Sequence, residues 1–234
     1  MQITKIEKIG RKCRLYLNDT PAFCLYPSEI RKLSLMEGME LSQETQEEIY
    51  GEILEKRAKK RSLLILKSAD KTGQQLVEKL RGDEYPEEIV QKALAYVESY
   101  GYVDDLRYAK DYIESTGGSR SKKRIFSDLL RKGISADLIE KAFEEAGEPD
   151  EETQIRLLME KRGFDPKAAD RSERDKMVRY LLGKGYAYEQ IRRGLERFHP
   201  MEKEAQNSQY PAKLDRAFDQ LYEGRGREHE LIEG

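Results

Sequence analysis

Gly101-Tyr102-Val103-Asp104-Asp105-Leu106-Arg107-Tyr108-Ala109 reads as the end of one helix and the start of the next. Gly101 follows an apolar-periodic run from Ile89 to Tyr100. It stands where a left-handed residue commonly closes a helix, because glycine has no Cβ to clash there. Asp104 precedes the next periodic run, where its carboxylate can accept the unpaired N–H groups of the first turn and meet the positive end of the helix dipole. Arg107, three residues on, is spaced for an ion pair with that carboxylate. Asp104 and Asp105 could also be read as a metal or acid/base pair. Adjacent helical side chains diverge by about 100°, and no second cluster of His, Cys or carboxylate completes such a site, so the junction is read as structural.

On both sides of this junction the chain repeats. Leu80, Leu129 and Leu181 correspond, as do Val90, Ile139 and Ile191, then Leu94, Phe143 and Leu195, at offsets of 49 and 52 residues. The same offsets align Leu76-Val77, Ile125-Phe126 and Met177-Val178. Each repeat thus carries apolar residues at i, i+1 and i+4 on one helix, then a turn, then a second apolar helix. A preceding helix falls around Leu63 to Leu66, Leu106 to Ile113 and Ile155 to Met159. Amphipathic helices align loosely by chance, but agreement across two consecutive helices, with Gly133 and Gly185 at the same turn, favours true repetition. Glu84 stands where the others have glycine, so the first repeat's turn is expected to differ.

The N-terminal part reads differently. Cys13, Leu15 and Leu17 alternate with Arg14 and Tyr16, a turn follows at Asn18-Asp19-Thr20-Pro21, and Phe23 and Leu25 alternate with Cys24 and Tyr26, which predicts a β-hairpin. Ser28 is placed to cap a short helix ending near Leu33, and Thr45 with Glu48 matches a capping box for a charged helix starting near Gln46. The fold class expected is mainly α: three tandem three-helix repeats of winged-helix or helix-turn-helix type in an elongated array, behind a small N-terminal β-hairpin unit. The expected divisions are 1–44 for the β-rich extension, 45–102 for the linker helix and first repeat, 103–148 and 149–199 for the second and third, and 200–234 for a polar tail with one amphipathic helix around Leu214 to Leu221.

Charge decides what such an array could bind. With 43 basic and 45 acidic residues the net charge is −2, so no overall cationic field draws nucleic acid and any contact must be local. The middle helix of the second repeat is basic, with Lys122, Lys123, Arg124, Arg131 and Lys132 against a single Asp128. Arg192, Arg193 and Arg197 form a second cluster in the third repeat. Either cluster could equally be a solvated helix face. The last helix of the second repeat carries Asp137, Glu140, Glu144 and Glu145 against Lys141, which would be repelled by phosphate and argues against major-groove docking.

The junction motif resembles the central signature of the RecX family, regulators of the bacterial recombinase RecA. Ser121-Lys122-Lys123-Arg124-Ile125-Phe126-Ser127-Asp128-Leu129-Leu130-Arg131-Lys132-Gly133-Ile134 is similar to that family's second signature. The likeness covers about residues 58–199, and residues 1–50 are similar to the N-terminal extension of longer members. It implies a protein that binds the RecA filament on single-stranded DNA and suppresses filament growth, ATP hydrolysis and strand exchange. In the signature residues Gly101, Asp104, Asp105, Arg107, Tyr108 and Gly133 it implies structural roles. The runner-up is a helix-turn-helix repeat protein that binds DNA as a transcription regulator.

No Walker loop, dinucleotide fingerprint, nucleophile elbow or zinc spacing is present, and His199 and His229 are the only histidines. The expectation is a protein that is not an enzyme, with no catalytic residue, no cofactor and no metal. Cys13 and Cys24 read as small strand residues of a reducing compartment. With no signal-like or membrane-length apolar run, the chain is expected to be cytoplasmic; it is also expected to be a monomer.

Overall fold

A computed structural model describes residues 1–196, so expectations on Arg197, His199, His229 and the 200–234 segment concern residues outside it. The chain opens with an antiparallel sheet of strands β1 (Ile3–Ile9), β2 (Lys12–Leu17) and β3 (Thr20–Leu25), in that order. Asn18 (φ +47°) and Asp19 (φ +65°) form the two-residue turn, since these side chains tolerate the left-handed backbone that matches strand twist. The sheet is thus larger than the hairpin read from the sequence. Residues 1–26 read as short strands, but β1 shows no clean alternation to pair it by, because, among its side chains, only Ile3 is fully buried. In β3, Phe23, Cys24 and Leu25 are all buried instead of alternating, because both faces are covered. Phe23 meets Tyr50 edge to face at 5.6 Å, and the Cys24 thiol donates to Glu84 Oε2 at 2.8 Å.

Helix α1 (Pro27–Lys32) has Tyr26 as its N-cap and Pro27 at its first position, earlier than a Ser28 cap would give. Glu29 returns to the Tyr26 N–H at 2.7 Å. A continuous helical run then comprises α2 (Gln43–Glu47), a π-helical segment Glu48–Glu55 and α3 (Lys56–Ser68). Its cap is Ser42, which accepts from the Thr45 N–H at 3.2 Å, so Thr45 lies inside the first turn and the helix starts earlier than Gln46. The wide turns of the π segment bring Ile49 and Leu54, five residues apart, into the core together. From α3, Arg57 reaches back to Glu29 at 2.5 Å and to the Cys24 carbonyl at 3.1 Å, and lies 4.8 Å from the Tyr26 ring. The β unit is therefore held by a half-buried guanidinium.

Three helix triplets follow: α3 with α4 (Gly73–Gly82) and α5 (Glu87–Ser99); α6 (Asp105–Thr116), α7 (Lys122–Leu130) and α8 (Ala136–Ala146); α9 (Glu151–Lys161), α10 (Arg171–Gly183) and α11 (Tyr188–Glu196). The aligned residues Leu80, Leu129 and Leu181 are each fully buried, as are Val90, Ile139 and Ile191. The sheet and first triplet share one core, from Ile3 to Val103, while the second and third triplets have their own. Residues Met1–Gly117 with Ile125–Glu148 form one compact unit; among the remaining described residues, Gly118–Arg124 with 149–196 form another.

The turn between the second and third helix of each triplet is the same in all three, contrary to the difference expected of Glu84. Glu84, Gly133 and Gly185 have φ of +66°, +85° and +92°. The following N–H groups of Tyr85, Ile134 and Tyr186 close onto the carbonyls of Leu80, Leu129 and Leu181 at 3.3, 3.2 and 3.3 Å. At Gly133 an added Cβ would overlap the Gln74 side chain, and at Gly185 it would lie 2.7 Å from Ser121 Oγ. Those turns are pressed by another helix start, so glycine is required. Over Glu84 lies the sheet instead, and its carboxylate is held by Arg14 and Cys24, which stabilises a left-handed residue that otherwise costs about 1–2 kcal/mol.

Candidate functional site

The junction motif divides its residues between capping and joining. Gly101 (φ +67°) ends α5, and the Asp104 carboxylate accepts the Arg107 N–H at 2.9 Å at the start of α6. The Arg107 guanidinium does not take up the Asp104 carboxylate as expected. Its Nη2 lies 3.4 Å from the Gly101 carbonyl, because the carboxylate is already turned toward the backbone N–H of the first turn. Asp105 instead accepts the Gly73 N–H at 2.9 Å, at the first residue of α4. Burial pushes the Asp105 carboxyl above the usual carboxylate range, against the lowering effect of that backbone bond.

This interaction belongs to a repeated joint. Thr72, the α4 cap, donates its hydroxyl to the Lys132 carbonyl at 2.6 Å, and the next N–H, of Gly73, goes to Asp105. At the start of α7, Ser121 donates to the Lys184 carbonyl at 3.2 Å, and the Lys122 N–H goes to Glu151 at 2.5 Å. In each case a capping hydroxyl satisfies the carbonyl just before a turn glycine, and the first helical N–H is satisfied by the first residue of α6 or α9. Sequence alone assigns no role to Thr72 or Glu151, and Ser121 enters it only as the first residue of the second signature. For the two capping hydroxyls the pattern is nonetheless visible: Thr72 and Ser121 are separated by the same 49 residues as Leu80 and Leu129.

The two basic clusters differ in how they are held. On α7, Lys123 and Arg124 are exposed, while Lys122 is half-buried with its backbone N–H on Glu151. Arg131 pairs with Asp128, which is buried and also accepts from the Tyr112 hydroxyl at 3.2 Å. Lys132 Nζ donates to the Tyr108 hydroxyl at 3.1 Å and lies 5.5 and 5.3 Å from the Tyr108 and Tyr112 ring centres. On α11, Arg192 is clamped between Glu189 and Glu196, each at 2.5 Å, and Arg193 reaches Glu189 at 3.4 Å. These bonds, that of Arg192 foremost, hold the Glu189 carboxyl below its usual range. α11 therefore displays paired charge, and Lys123 and Arg124 stand exposed in the first turn of α7.

The acidic face of α8 is exposed at Asp137, Glu140 and Glu144, and Glu145 is tied to Lys110 at 2.9 Å. Among the described residues no group of three His, Cys, Asp or Glu side chains is placed to hold a metal. No helix among them is long and apolar enough to cross a membrane.

Fold and charge together define a helical-triplet repeat protein with a small antiparallel sheet at its start. Residues 104–142 match the profile of the second three-helix domain of RecX and residues 150–195 that of the third. The regulatory protein RecX of Vibrio vulnificus is 32% identical over 136 residues, spanning 57% of this chain and 88% of the relative. That of Caldanaerobacter subterraneus subsp. tengcongensis is 29% identical over 199 residues, spanning 83% and 98%. The crystal structure of a regulatory protein RecX superimposes with a TM-score of 0.53 at 25% identity, covering 82% of this chain and 98% of the other. The chain belongs to the RecX family, and its role is that of a RecX-type regulatory protein.

Proposed function

We propose that this chain binds the RecA filament on single-stranded DNA and limits filament extension, ATP turnover and strand exchange, without catalytic chemistry of its own. Membership in a family of regulatory proteins carries the reading. The exposed Lys123 and Arg124 on α7 are the groups assigned to DNA phosphate or an acidic recombinase surface. Arg131, Lys132, Arg192 and Arg193 add local positive charge on their own helices and turns, each also bonded to a neighbouring side chain. The acidic α8 would meet basic recombinase surface, and such complementarity sets registry and encounter rate. The mechanism is steric and electrostatic, with many modest contacts summed along successive protomers. The protein acts as a monomer in the cytoplasm. The acidity of α8 disfavours the alternative of duplex recognition by a helix-turn-helix.

The test is ATP turnover by the cognate recombinase on single-stranded DNA. Added protein should slow turnover at well below one copy per recombinase subunit; unchanged turnover at every ratio refutes the reading. Lys123→Ala with Arg124→Ala should weaken filament binding and flatten its dependence on salt, by about 0.7 in log–log slope for each phosphate no longer neutralised. An unchanged slope would remove phosphate from the role of this patch.

A further inference from the structure

Structure alone accounts for nearly every residue of the junction motif. Gly101 turns the chain, Val103 is buried, Asp104 caps, Asp105 joins, Tyr108 holds Lys132 and Ala109 is buried. Tyr102 and Arg107 stand apart. Tyr102 is 53% exposed, and its ring stacks on that of Tyr100, 63% exposed, at 6.2 Å and 23°. Tyr100 in turn meets Tyr96 at 5.0 Å, and Tyr96 packs against the core, which anchors the row. Arg107 lies in the first turn of α6, where the helix dipole disfavours a cation. Its guanidinium reaches only the carbonyl of Gly101, the residue between Tyr100 and Tyr102, and makes no ion pair among the described residues. Its placement adds little to stability.

We propose that Tyr100, Tyr102 and Arg107 form a binding site for an unpaired nucleotide of a single strand, with the base stacked on the exposed tyrosine face and a flanking phosphate on the guanidinium. Flat aromatic faces accept any base, which suits sequence-tolerant binding, and a guanidinium at their edge supplies the charge a phosphate needs. A protein partner is the lesser fit, because the row offers flat, half-exposed ring faces beside a cation, the pairing that a base and its phosphate need. The site is separate from the α7 cations, and the test contains no recombinase, so it stands or falls independently of the filament reading.

The experiment is fluorescence anisotropy of the full chain with a labelled oligothymidine and with a strand of equal length carrying abasic sites. The native protein should bind the base-bearing strand more tightly, by roughly 5- to 100-fold for one stacked base. Tyr100→Leu with Tyr102→Leu should bind both strands alike, with an unchanged circular dichroism melt. Arg107→Ala should weaken both strands equally while keeping the preference for bases. Crosslinking of a 5-iodouracil strand to the native protein should map to Tyr100 or Tyr102, which tests the site without any substitution. Equal binding of the two strands by the native protein, a preference retained in the folded double variant, or crosslinks only elsewhere would each overturn the proposal.

Discussion

Asp104 and Asp105 are adjacent in sequence yet answer to different helices. Asp104 is exposed and satisfies its own helix start, so Asp104→Ala should lower stability by about 0.5–2 kcal/mol in urea melts, the usual effect of a lost cap. Asp105 is half-buried and raised in pKa chiefly by desolvation. The native state then holds a proton at pH values where the unfolded chain has released it. Stability therefore falls as pH rises from the unfolded aspartate value of about 3.9 through the higher folded value. Asp105→Asn keeps an oxygen for the Gly73 N–H and removes the titration. Its urea midpoint should lose that acid-range fall and equal or exceed the native one at neutral pH. Asp105→Leu, which orphans the buried N–H, should cost about 1–3 kcal/mol at every pH. Parallel pH profiles for the native protein and the Asn variant would refute this assignment. The sequence made the Asp104 cap legible, because caps are read from local order. It could not show Asp105's partner, since Gly73 lies on another helix 32 residues away.

At the scale of elements, legibility followed periodicity. The apolar stripes of α4, α7 and α10 and of α5, α8 and α11 could be aligned because burial imposes the 3.6-residue period on each. The turns between them were harder. A left-handed residue is needed at Glu84 as at Gly133 and Gly185, but glycine is demanded only where another helix start presses on the turn. Composition therefore misread a geometry that is the same in all three. The basic helices show the same limit: Arg192 looks cationic in sequence, yet Glu189 and Glu196 on its own helix neutralise it. The β unit's attachment was not legible at all, because Arg57 bonds to Glu29 and the Cys24 carbonyl across a span of about thirty residues. Arg57→Ala should loosen that attachment by about 1.5–3 kcal/mol, the range for hydrogen bonds to a charged group. Hydrogen exchange should then quicken in β2 and β3 while α6 and α8 keep their protection. Unchanged exchange in the strands would mean that apolar packing by Phe23 and Leu25 alone holds the sheet.

Across the whole chain, stability is divided among three cores. Among the described residues, the sheet and first triplet share the largest, with twenty buried side chains, while the second triplet buries eight and the third six. Repeat proteins of this kind sum local stabilities and the terms that join neighbours, so the smallest core should open first and depend most on its joint. For α9 to α11 that joint is the meeting of Ser121 and Lys122 with Lys184, Gly185 and Glu151. Gly185→Ala puts a Cβ against Ser121 Oγ at a backbone conformation that itself costs about 1–2 kcal/mol in an L-residue. Native-state hydrogen exchange should report the loss in α9, α10 and α11, with the amides of β2, α4 and α5 unchanged. Ser121→Ala, which removes the donor without adding bulk, should produce a smaller loss in the same helices by leaving the Lys184 carbonyl without its hydroxyl. Equal loss of protection in all three cores would mean that the chain unfolds as one cooperative body.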